Sequence, residues 1–132
     1  MTDTPNPVVL LARITVKQGM INEYLSIAAK ADKAVEKTEE GMLLHNFDLE
    51  PNDPHKYVWK EVYRKSENFL FQVDNPPGQD HVKKHNNFAT HFSIEILGNA
   101  SQAVIDKIKS LEIPLKHFAT TSAEYVRAER FS

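Results

Sequence analysis

The residues best suited to chemistry stand together at Tyr57-Val58-Trp59-Lys60-Glu61-Val62-Tyr63. An extended strand alternates its side chains, so Tyr57, Trp59, Glu61 and Tyr63 share one face, and Val58, Lys60 and Val62 share the other. Three aromatic rings and an acid on one face suit a pocket for a flat aromatic ligand, with stacking surface from the rings and polar anchors beside them. Tyr57 and Trp59 also suit core or dimer-interface packing, with Glu61 paired at the edge. A second candidate is the pair His81 and His85, in a segment from Asp80 to His91 that holds three histidines. Four residues apart on a helix, both imidazoles project from one side. There they could hold a borderline metal, act as acid or base, ligate a haem, or face solvent. No carboxylate joins them in a recognised metal motif. His45, His55, His91 and His117 are isolated in sequence and are read as surface or pocket-rim residues.

Several other chemistries lack their residues. The absence of cysteine removes disulfides, thiolate metal sites and a cysteine nucleophile. The 4 glycines form no phosphate-binding loop, and there is neither a Gly-x-Ser-x-Gly elbow nor a His-Glu-x-x-His helix. With 16 basic against 18 acidic residues, a formal charge of -2 and no basic run, no nucleic-acid partner is expected. Met1 to Pro7 is polar and carries two prolines, unlike a secretory leader. No apolar run approaches the roughly 18 residues that would suggest a membrane helix. The expectation is a cytoplasmic protein with no membrane partner. Asn99-Ala100-Ser101 fits a glycosylation sequon, but Ser101 reads better as a helix cap.

Hydrophobic period assigns the strands and helices that hold these residues. Val8 to Lys17 alternates with Val8, Leu10, Ala12, Ile14 and Val16 on one face, a strand with one buried side. After Gly19, the apolar positions Ile21, Tyr24, Leu25, Ala28, Ala31 and Val35 recur at helical spacing from Met20 to about Lys37. Gly41 is expected to end that helix in a left-handed conformation. Met42 to Glu50 reads as a second strand, Pro51-Asn52-Asp53-Pro54 as a turn, and Lys56 to Tyr63 as a third strand. Ser66 to Val73 begins a second helix, which Pro76-Pro77-Gly78 breaks. Asp80 to about Leu97 is expected to be helical, as is Gln102 to Leu111, and Pro114 ends that run. His117 to about Arg127, rich in Thr, Phe, Tyr and Val, reads as the last strand. The 132 residues fit one domain with an outline of β-α-β-β-α-β, a flexible start over 1–7 and an enlarged second helical region over 74–114. That region is either a lid or an extension of a dimer contact.

Four features fall in a telling order: Val16-Lys17-Gln18-Gly19 before an amphipathic helix, Glu40-Gly41-Met42-Leu43-Leu44 opening a strand, Asp53-Pro54 in the hairpin, then Trp59-Lys60-Glu61-Val62-Tyr63. In this order they resemble the antibiotic biosynthesis monooxygenase family, directly over about residues 8 to 73. The resemblance implies a ferredoxin-like α+β fold with an antiparallel sheet, two copies of which pair into a dimeric α+β barrel. It also implies a choice of activities, among them cofactor-free oxygenation of polycyclic phenols, haem degradation and quinol chemistry, and fold alone does not select one. Family members often carry an acid and then an aromatic late in the third strand, matched here by Glu61 and Tyr63, and a histidine eleven positions after the acid. Here that position holds Gln72. An insertion would let His81 or His85 supply the imidazole instead. The first strand offers Arg13 and no Asn, which disfavours the haem reading.

The resulting expectation is a homodimeric monooxygenase that uses no cofactor and acts on a small aromatic or polycyclic phenol. His85 would serve as base, Trp59 and Tyr63 would hold the ring, and Tyr57, Glu61, Gln72 and His81 would line the substrate site. Histidine suits such a proton because it titrates near physiological pH. The alternative is a non-catalytic dimeric barrel that binds a small hydrophobic ligand.

Overall fold

A computed structural model describes residues 7–74, 87–98 and 100–120. The chain runs β1 (Val8–Val16), α1 (Ile21–Thr38), β2 (Met42–Leu49), β3 (Lys56–Tyr63), α2 (Ser66–Asp74), β4 (Ala89–Leu97), α3 (Gln102–Ser110) and β5 (Leu115–Phe118). The five strands form one sheet in the order β2-β3-β1-β4-β5. Strand β1 lies at its centre because its alternation is the most complete, with Val8, Leu10, Ala12, Ile14 and Val16 all buried. It pairs antiparallel with β3 and with β4, and β2 pairs antiparallel with β3. Helix α1 buries Tyr24, Ala28 and Val35, α2 buries Phe69 and Gln72, and α3 buries Val104, Ile105 and Ile108. Of these, Tyr24, Phe69, Val104 and Ile108 join the inward residues of the strands in one core.

The ferredoxin-like α+β class expected from the sequence is present, but its last core strand is not where the sequence placed it. Residues 89–97 form β4, whereas Asp80 to Leu97 had the composition of a helix. Phe92, Ile94 and Ile96 alternate with Ser93, Glu95 and Leu97, and this period of two matches the free edge of β1: Ile14 faces Phe92, Ala12 faces Ile94 and Leu10 faces Ile96. Satisfying the backbone groups along β1 outweighs the local composition. The tail strand is shorter than expected and pairs parallel to β4, so the sheet is mixed. The Pro76-Pro77-Gly78 break and the remainder of the proposed tail strand beyond Thr120 lie outside the described residues.

Two local expectations also separate. Gly19 has a φ of 83°, as a glycine turn before a helix requires, but Gly41 is not left-handed. Helix α1 ends at Thr38 without it. Gly41 is small for another reason: a Cβ there would overlap the amide of Asn68 at the start of α2. Ser101 is the N-cap of α3, accepting a 3.4 Å bond from the Val104 amide. The opposite face of the sheet carries no helix among the described residues. It presents half-buried Val9, Leu11, Val58 and Val62, exposed Leu44 and Leu97, and a 3.0 Å ion pair between Arg13 and Glu95.

Candidate functional site

The register of β2, β3 and β1 decides which side chains meet under the helices. Trp59 stands opposite Ala12 on one side and Phe47 on the other, and Glu61 stands opposite Leu10 and His45. A register shift between Met42 and Leu44 precedes His45 on β2. The expected face of β3 is therefore real, and it turns inward: Tyr57, Trp59, Glu61 and Tyr63 are 7%, 5%, 4% and 0% exposed. Aromatic packing accounts for much of it. Trp59 stacks on Phe47 at 5.1 Å, Tyr57 lies 6.0 Å from Tyr24, and Tyr63 meets Phe69 edge-on at 5.5 Å.

Within this apolar layer runs a continuous polar chain. The Tyr63 hydroxyl donates to Glu61 Oε2 at 2.5 Å and also lies within reach of the Gln72 side-chain oxygen; its one hydrogen serves one acceptor at a time. Glu61 Oε1 lies 3.2 Å from His45 Nε2. His45 Nδ1 meets the carboxylate of Asp32 on α1, and the Trp59 indole N–H donates to Nε2. Helix α1 thus supplies Asp32, β2 supplies His45, β3 supplies Trp59, Glu61 and Tyr63, and α2 supplies Gln72.

Two groups in this chain have displaced proton affinities. Burial of His45 disfavours its charged form, but bonds to Asp32 and then Glu61, together with their charges, outweigh that and raise its pKa to about 9. Burial pushes the Tyr63 phenol well above its ordinary value, and the charge of Glu61, its bond to Glu61 and the charge of Glu39 push the same way. Tyr63 is accordingly a firmly neutral donor. Tyr24 is raised too, by burial first and then by Tyr57 and Asp32.

A cleft of about 310 Å³ opens beside this chain, lined by Asp32, Val35, Glu36, Met42, Leu43, Leu44 and His45. That volume is at the lower end of small-molecule sites. A second hollow of about 420 Å³ surrounds Gly41, Glu39, Arg64, Asn68 and Phe71.

Of the residues picked out from sequence, the structure brings Trp59, Glu61, Tyr63 and Gln72 together, with Tyr57 packed one strand position further along. His81 and His85 lie outside the described residues. His45, read as a surface or pocket-rim residue, does line the cleft, but its side chain is only 7% exposed and its two ring nitrogens face Asp32 and Glu61. Asp32 was missed. A signal existed for His45, which falls on the inward face of β2 with Phe47 once the Tyr63–Met42 end of the hairpin is registered. For Asp32, one of many charges on α1, none did.

A ferredoxin-like sheet carrying an acid–imidazole–acid–phenol chain beneath its helices defines a small α+β protein with a buried polar chain across its core. The chain belongs to the antibiotic biosynthesis monooxygenase family, whose sequence profile matches residues 7–84. A search of curated proteins finds no match. Solved structures share the fold. A candidate antibiotic biosynthesis monooxygenase from Bacteriodes thetaiotaomicron superposes with a TM-score of 0.63 at 17% identity, covering 67% of this chain and 85% of its own. A conserved protein from Methanosarcina mazei Go1 gives 0.65 at 13%, covering 70% and 92%. MupZ from Pseudomonas fluorescens gives 0.72 at 12% and covers 92% of this chain and 96% of its own. Family membership supports a monooxygenase-like function in general terms; at these identities the structural likeness carries the fold.

Proposed function

We propose that the protein is a cofactor-independent monooxygenase of a small aromatic or polycyclic phenol, working as a homodimer. The observation that carries this reading is the buried chain Asp32–His45–Glu61–Tyr63–Gln72 set against stacked Trp59 and Phe47. Oxygenation without a cofactor requires the substrate to supply both electrons, which it does readily only as an anion. The protein must therefore position the ring and take a proton. A phenol ionises near pH ~10, and an imidazole whose conjugate acid titrates at about 9 accepts that proton with little penalty. His45 takes the role expected of His85, while Trp59 and Tyr63 fix the base and the ring. Tyr57, Glu61 and Gln72 complete the site from the described residues, and His81 and His85 remain its candidates from the segment before β4. For an anthrone the balance is substrate plus O2 giving the quinone plus water, one oxygen atom entering each product. The open face of the sheet, with Val9, Leu11, Val58 and Val62, is the surface through which two copies would pair.

The test is anthrone turnover in air without added flavin, haem or metal, followed as O2 uptake and as 18O in the quinone. Trp59→Phe and His45→Gln should each lower the rate about a hundredfold. Quinone free of protein-dependent 18O would sink the reading. One observation favours the alternative of a non-catalytic binder: the aromatic face is packed, at 0–7% exposure for its four residues, and Gln72 stands where relatives often have histidine. An aromatic molecule retained in native mass spectrometry, without turnover, would establish that alternative.

A further inference from the structure

Resting on the oxygenase reading, we propose that Asp32 is the solvent-side end of a proton path that runs from Tyr63 through Glu61 and His45 into the cleft between α1 and β2. Each link faces the next. Tyr63 meets Glu61 through Oε2, Glu61 meets His45 Nε2 through Oε1 at 3.2 Å, and His45 meets Asp32 through the opposite ring nitrogen, Nδ1. Burial changes sharply at the end of this series. Tyr63 and Glu61 are 0% and 4% exposed and the His45 side chain, at the inner wall of the cleft, 7%, whereas the Asp32 side chain is 33% exposed at its mouth.

The demands of the groups around His45 also agree with this direction. In the neutral ring the Trp59 indole, a donor only, occupies the Nε2 lone pair and leaves the hydrogen on Nδ1, pointing at Asp32; in the protonated ring Nε2 carries a hydrogen and faces Glu61 instead. A proton reaching the Tyr63 oxygen displaces the hydroxyl hydrogen onto Glu61 Oε2. The Glu61 carboxyl turns and presents it to Nε2, displacing the Trp59 N–H from that lone pair. The ring takes that proton and releases the one on Nδ1 to Asp32, which passes it to water. Each group gains one proton and loses one, so the path regenerates itself without a co-reactant. Among the described residues, the titratable groups that face it are Glu36, which shares the cleft, Tyr24, which senses both Asp32 and Tyr57, and Glu39 near Tyr63. Of the two acids lining the cleft, Asp32 is the one that reaches the imidazole.

Exchange of the His45 ring N–H with water, measured by 15N NMR, tests the path without any turnover. Asp32→Asn, which keeps the shape, and Asp32→Ala, which opens a hole, should both slow that exchange about tenfold. Added formate should restore it in Asp32→Ala and not in Asp32→Asn, and Glu36→Gln should leave it unchanged. Unchanged or faster exchange in Asp32→Asn, with a native circular dichroism spectrum, overturns the proposal. If Asp32→Asn does not fold, failure of formate to restore exchange in Asp32→Ala overturns it equally. Absence of oxygenase turnover in the wild type would remove the functional reading while leaving the exchange result intact.

Discussion

At the scale of single residues, the behaviour of His45 follows from where it is held. Its two ring nitrogens face Asp32 and Glu61, and this pairing raises its pKa from an unfolded value near ~6.5 to about 9. A group whose folded pKa is raised contributes stability that is fully present below the unfolded pKa and is lost as pH rises through the folded one. Urea unfolding should show stability declining between pH 6.5 and 9 by at most about 3 kcal/mol, less whatever water screens on the Asp32 side. In His45→Gln that decline should vanish. Turnover runs the other way, because neutral imidazole is the base: the rate should climb with pH and level off above about 9. A rate flat across that range would mean that another group takes the proton. Tyr63→Phe removes the hydroxyl bonded to Glu61 and near Gln72 in a site with no water access, and should cost about 1–3 kcal/mol by denaturant titration.

At the scale of elements, the site depends on α2 being held where Gln72 reaches Tyr63. Its beginning is tied to α3 by the Ser101 amide donating to the buried Ser66 hydroxyl at 3.1 Å, and its end by a 2.9 Å ion pair between Asp74 and Lys107. Ser66→Ala should therefore cost about 1 kcal/mol, measured by thermal unfolding, whereas breaking the exposed Asp74–Lys107 pair should cost much less. Gly41→Ala should weaken the same region, since the added methyl displaces Asn68, whose Oδ1 accepts from the Lys65 amide where α2 begins. The first elements were legible because their periods are unambiguous: β3 spans Lys56–Tyr63 as read, and α1 differs from expectation by one residue at each end. Strand β4 was not legible, because Asp80 to His91 is polar and helix-like, and only the open edge of β1 selects extended pairing for residues 89–97.

At the scale of the whole molecule, α1, α2 and α3 cover one face of the sheet and leave the other with Leu11 and Val62 near its centre and the Arg13–Glu95 pair beside them. A half-buried apolar face of this kind suits a second copy. Leu11→Asp should convert a dimer in sedimentation analysis to a monomer with unchanged secondary structure; a wild-type monomer would count against the pairing itself. No helix among the described residues is long and apolar enough to cross a membrane. The α+β class, the family and the inward face Tyr57-Trp59-Glu61-Tyr63 were all readable from the chain alone, because each is written in local periodicity and short-range order. That His45 is buried, that Asp32 and Glu61 bracket it, and that β4 completes the sheet emerged only in three dimensions. Those outcomes depend on strand register and on which helix face lies over which strand, and both are fixed by contacts between residues far apart in the chain.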